Sequence, residues 1–189
     1  MGRMIAAVAG IIGLAAAGQI DAPRVPADIQ FDLTLKILTF DRNLNTRVGT
    51  ELVFGIVYDK DWPPSLQVMA EMTQAMETSP FKTVSKIPIR AVAINAGRGW
   101  TLANDLRDSE TDVVYIAPLP DPVLAKLFAV CRDRKLTTVS SLPEYAKQGA
   151  TIGFLPPGRK PIIVINLKTA LAEGADFDSH LLGLAKVIR

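Results

Sequence analysis

The stretch DVVYIAPLPDPVLAKLFAVCRDRKLTTVSS, residues 112–141, decides the fold. Residues 112–117 are β-branched, aromatic or apolar after the opening Asp112, the composition of a short strand buried on both faces. Pro118 and Pro120 interrupt regular structure, and a helix follows. Asp121 is placed to cap it with a side-chain oxygen, and Pro122 to fill its first turn, where a missing N–H costs nothing. Val123, Leu124, Leu127, Phe128 and Cys131 share one face of that helix, which predicts its buried side. Residues 136–140 read as the next strand. A strand, a helix and a strand in succession make a parallel crossover, since a tight turn cannot join parallel neighbours.

The same alternation extends in both directions. Upstream, Ile29, Leu33, Ile37 and Phe40 recur at helical spacing and predict a helix over 27–43 with those residues inward. Residues 51–58 (ELVFGIVY) form a buried strand bounded by Gly49 and the turn cluster 59–64. A helix over 65–78 carries Met69, Met72 and Met76 on one side, where adaptable thioethers fill a core. A strand at 87–94 and a helix at 102–107 then lead to residue 112. Downstream, a small helix at 143–147 precedes two apolar runs, 151–155 and 162–165, around Pro156, Pro157, Gly158 and Arg159. Proline followed by glycine suits a type II turn, so these runs predict a hairpin, an antiparallel addition to a parallel sheet. A helix at 167–173 is ended by Gly174, and a last helix begins near Ser179 with Leu181, Leu182, Ala185 and Ile188 inward. The expected fold is α/β: a single three-layer domain, a mostly parallel sheet flanked by helices, with right-handed crossovers and a C-terminal antiparallel hairpin.

The chain has 189 residues, 49% apolar and 21% charged, the balance of one packed domain and not of a disordered chain. Its net charge is +2, without a clustered basic face, so nucleic acid is not an expected partner. One Cys and one His exclude an intrachain disulfide and every multi-His or multi-Cys metal site. Residues 4–17 (MIAAVAGIIGLAAA) are an unbroken apolar or small-residue run after Arg3, closed by Ala15, Ala16, Ala17 and Gly18. Fourteen residues fall short of the ~20 that a spanning helix needs. Residues 1–18 therefore read as a secretory signal peptide, removed on export to a periplasm or to the exterior.

Chemistry is sparse. Gly97-Arg98-Gly99-Trp100-Thr101-Leu102 follows a strand and precedes a helix, as a dinucleotide fingerprint does, but Leu102 stands where the third glycine belongs. His180 is the chain's one histidine and so its one imidazole candidate for a general base, yet it sits in a helix turn far from the strand ends where open α/β sheets hold their sites. Cys131 behaves as a small hydrophobe on an apolar face. Asp59, Asp61, Asp105, Asp108 and Asp112 fall in loops and caps. No catalytic residues, metal ligands or cofactor are expected. Trp62, Asn95, Arg98 and Trp100 lie just beyond strand ends and form the candidate ligand or partner loops.

The C-terminal third carries a specific order of short motifs: 136–140 (LTTVS), 143–146 (PEYA), 149–154 (GATIGF), 165–167 (INL) and 179–185 (SHLLGLA). Together with 55–58 (GIVY) and 112–116 (DVVYI), this resembles the YfiR-like family of small exported proteins over residues 25–189. The resemblance implies a periplasmic α/β domain without catalysis, in a family that includes a repressor of an inner-membrane diguanylate cyclase and so restrains cyclic-di-GMP output and biofilm. The paired cysteines common in that family are reduced here to Cys131, so redox control is not carried over. The family's aromatic-rich first helix has the variant form LKILTFDRNL over 35–44.

Two classes of function follow. One is a regulator docking on the periplasmic part of an inner-membrane cyclase or sensor kinase, alone or as a homodimer. The other is a periplasmic small-solute-binding protein of a transport or sensing system, since the fold also looks like one lobe of such a receptor. A clamping receptor normally has two lobes and this length supplies one, which favours the regulator.

Overall fold

The computed structural model describes residues 24–97, 101–156 and 160–189. The signal-peptide expectation, over 1–18, falls outside these residues, and so does the Pro157-Gly158 turn. The elements run α1 (Ala27–Leu38), α2 (Leu44–Arg47), β1 (Leu52–Tyr58), α3 (Pro63–Thr78), β2 (Thr83–Val84), β3 (Ile87–Asn95), α4 (Leu102–Asp108) and β4 (Val113–Ile116). They continue as α5 (Asp121–Arg134), β5 (Thr137–Ser140), α6 (Tyr145–Gln148), β6 (Ile152–Leu155), β7 (Ile162–Asn166), α7 (Leu167–Ala172), α8 (Ser179–Leu184) and β8 (Lys186–Ile188).

Eight strands form one sheet in the order β2-β3-β1-β4-β5-β6-β7-β8. β3, β1, β4, β5 and β6 are parallel, as the crossover reading requires. The hairpin is present: β6 and β7 are antiparallel, pairing Ile152 with Ile165 and Leu155 with Ile162. The chain leaves β1 toward β3 and then returns to the other side of β1 for β4. This reversal puts α3 on one face of the sheet and α4 and α5 on the other. Alternate residues of β1 accordingly serve different cores. Leu52, Phe54 and Ile56 pack with Phe31, Leu38, Val68, Met72 and Tyr115, whereas Val57 packs with Ile94, Leu106, Ile116, Leu127 and Cys131.

Local differences from expectation have physical causes. α1 ends at Leu38, and its buried residues are Gln30, Phe31, Thr34, Leu35, Ile37 and Leu38, whereas Ile29 is exposed. Gln30 is inside because both ends of its amide are satisfied: Nε2 donates to the Val25 carbonyl at 2.6 Å, and Oε1 accepts from the Tyr115 hydroxyl at 3.1 Å. Asp121 does not cap α5; Pro120 precedes the helix and Asp121 is its first residue, where a carboxylate still favours the helix N-terminus electrostatically. The last helix stops at Leu184, and the chain extends into β8, which joins the sheet parallel to β7. Residues 186–188 thus form an edge strand and not a helical turn.

Gly174 follows α7 with φ of +82°, a conformation L residues seldom adopt, which ends the helix as expected. At Gly153 the constraint is proximity: a Cβ there would lie 2.7 Å from Ala146 Cβ, so the missing side chain lets α6 rest on the sheet.

Candidate functional site

The point where strand order reverses is β1, and open α/β sheets bind ligands beyond the carboxyl ends of the strands there. Four connections converge at this edge, those after β1, β3, β4 and β5. Asn95, the last residue of β3, ties two of them together, since its Oδ1 accepts from Lys60 N at 3.1 Å and Gly97 N at 3.2 Å. The loop after β1 is further fixed by Asp59, whose N–H donates to Ser65 Oγ at 2.8 Å and whose Oδ1 accepts from Asp61 N at 2.9 Å. Trp62 starts α3 from this loop with 37% of its surface exposed, and its carbonyl accepts from the amides of Ser65 and Leu66.

The loops after β4 and β5 are joined by Tyr145. Its hydroxyl accepts from Leu119 N at 3.0 Å and donates to the Leu119 carbonyl at 3.2 Å, and burial raises its pKa above the usual phenol value. Ser140 Oγ caps the following turn through Leu142, and Ser141 Oγ is buried without a hydrogen-bond partner among the described residues. Of the four expected loop residues, Trp62 and Asn95 thus lie in adjoining loops of one edge. Arg98 and Trp100 fall outside the described residues. Among the described residues the edge offers an exposed indole at Trp62 and backbone amides fixed by Asn95 and Asp59.

The remaining candidates take structural places. His180 is exposed on α8, its ring 5.8 Å from that of Phe40. Asp112 accepts from Val53 N at 2.8 Å; burial raises its carboxyl pKa, and that hydrogen bond opposes the rise. Among the described residues no cluster of three or more His, Cys, Asp or Glu side chains is placed to hold a metal ion, and no helix is long and apolar enough to cross a membrane.

Two buried polar groups escaped the sequence reading. Asp41 lies at the end of the turn after α1, where it binds the Arg47 guanidinium and accepts from Asn43 N and Asp176 N. Arg47 also donates to Thr137 Oγ1 at 3.1 Å and to the Lys135 carbonyl at 3.0 Å, which joins α2 to the amino edge of the sheet. Beside it a hollow of about 390 Å³ is lined by Arg47, Arg107, Glu110, Asp112, Arg134 and Lys135. Arg107 stands at the C-terminus of α4, Arg134 and Lys135 at that of α5 and Arg47 at that of α2, where cations complement the helix dipoles. The second group is Glu173, fully buried beneath α7. Nothing in spacing marks either one, because a carboxylate near a helix end usually faces water.

A family model described as DUF4154, YfiR/HmsC-like, matches residues 37–186. The chain belongs to that family. None of the curated proteins matches it. Among solved structures, a Streptococcus pneumonia ABC domain in complex with L-Trp aligns at 13% identity and TM-score 0.53, over 86% of this chain and 60% of that one. A conserved domain protein from Vibrio cholerae O1 biovar eltor aligns at 15% identity and TM-score 0.53, over 87% and 60%. This YfiR/HmsC-like chain therefore spans about three fifths of both. At such identities the likeness is one of fold, and that fold is α/β.

Proposed function

We propose that this protein is a non-catalytic periplasmic regulator that represses an inner-membrane diguanylate cyclase, or a related sensor kinase, by direct contact. The observation that carries the reading is membership of the YfiR/HmsC-like family over residues 37–186. The apolar run at residues 4–17 supports export, with residues 1–18 removed as a signal peptide and 25–189 the working domain. The carboxyl edge, with Trp62 exposed and Asn95 holding two loops, supports a contact surface, and in sequence Arg98 and Trp100 follow Asn95 closely. A partner, and not a cofactor or metal, is then the ligand.

Deleting the gene tests this. The expected result is raised cyclic-di-GMP and more biofilm, both cancelled when the partner cyclase is deleted too. Unchanged cyclic-di-GMP in the deletion strain, together with tight binding of a small solute by the purified protein, would contradict it.

A further inference from the structure

Glu173 follows α7 and is 0% exposed. Its carboxylate accepts three donors from the sheet: Thr138 N at 2.8 Å, Thr138 Oγ1 at 2.8 Å and Thr151 Oγ1 at 2.6 Å. Thr138 Oγ1 in turn accepts from Thr151 N at 2.8 Å, so the strand β5, the start of β6 and the end of α7 meet in one buried knot. Among the described residues no salt bridge reaches the carboxylate.

The charged and titratable neighbours come from two sides. α5 and the residue after it contribute Cys131, Arg132 and Lys135, whose Nζ donates to the Ala172 carbonyl. α2 contributes Arg47, which donates to the Glu173 carbonyl oxygen at 3.4 Å while its guanidinium is held by Asp41. β5 and the residue just before β6 supply only the threonine groups of Thr138 and Thr151. Burial pushes the Glu173 carboxyl up from 4.5 to about 7, against the hydrogen bonds from Thr151 and Thr138 and the charge of Arg132.

We propose that Glu173, Thr138 and Thr151 form a proton-binding clasp that fastens the C-terminal segment, from α7 onward, to β5 and β6 and loosens when the proton leaves. With the proton on, the acid O–H has Thr151 Oγ1 within hydrogen-bond reach as an acceptor, and no net charge is buried. With it off, the anion keeps its three donors but sits in a low-dielectric interior without a cation in contact. The closed clasp holds its proton more tightly than an opened, solvated carboxylate does. Opening therefore grows easier as pH rises from about 4.5 toward 7 and beyond, and levels off above the folded value.

Native-state hydrogen exchange of the full chain, corrected for the intrinsic rate at each pH, tests this at the amides of Thr138 and Ala175. Linkage predicts that the opening constant rises roughly tenfold from pH 6 to pH 8 in the wild type and stays flat in Glu173→Gln. Carbon-13 titration of the Glu173 carboxyl supplies a second readout that does not need the Gln variant to fold. Its midpoint is expected near neutrality, and higher in Thr151→Val, which deletes a donor to the anion. A midpoint below 5, or the same pH dependence of opening in Glu173→Gln as in the wild type, would overturn the clasp. These readouts concern the isolated chain, so their failure leaves the regulatory reading standing.

Discussion

Cys131 lies wholly buried, four residues after Leu127 on the inner face of α5. Burial, helped by the charge of Glu173, pushes its thiol well above the usual range. A thiol there reacts only when the structure opens. A thiol reagent is expected to label the native protein about a thousandfold more slowly than the denatured one; comparable rates would show a thiol that is accessible after all. Gly153 makes the complementary point about space. Gly153→Ala drives a Cβ against Ala146 and should destabilise by about 1–3 kcal/mol in urea unfolding, with Ala146→Gly recovering part of the loss. The inward place of Cys131 was legible because its face is uniformly apolar. Glu173 was not: before a glycine, at the end of a short helix, it looks like any solvated carboxylate, and its donors Thr138 and Thr151 are 35 and 22 residues distant.

Elements were legible where pattern and burial agree. β1 and β4 are short apolar runs, β3 alternates and β5 is rich in β-branched residues, with crossover helices between them, and α3 and α5 show their buried faces directly. α1 misled because it is buried over a broad arc, so that Gln30 and Thr34 are inside while Ile29 is not. β8 misled because Leu181, Leu182, Ala185 and Ile188 fit a helical face, while three residues are too few for an alternating pattern to speak for a strand. Between elements, the buried Asp41–Arg47 pair holds the turn after α1 and α2 against β5. Asp41→Ala leaves an uncompensated guanidinium and is expected to cost about 3–5 kcal/mol by urea unfolding. Asp41→Ala with Arg47→Met removes the stranded charge and should recover much of that. Equal losses in the single and double variants would mean that packing, not the charge pair, carries the contact.

The molecule as a whole is a mostly parallel sheet between two helical layers, and its family is set by the match to the YfiR/HmsC-like model over residues 37–186. Function at this scale rests on where the protein works and what it touches. Protein recovered from the periplasm is expected, by mass spectrometry, to begin near Gly18 or Gln19; an intact Met1 on membrane-embedded protein would remove the premise of export. Contact is the central claim, and reconstitution measures it most directly. The partner cyclase is placed in proteoliposomes with its periplasmic part outward and its substrate inside, and cyclic-di-GMP synthesis is followed as purified mature protein is added. The account predicts a saturable fall in synthesis that is complete near stoichiometric protein. Synthesis unchanged by an excess of folded protein would contradict it.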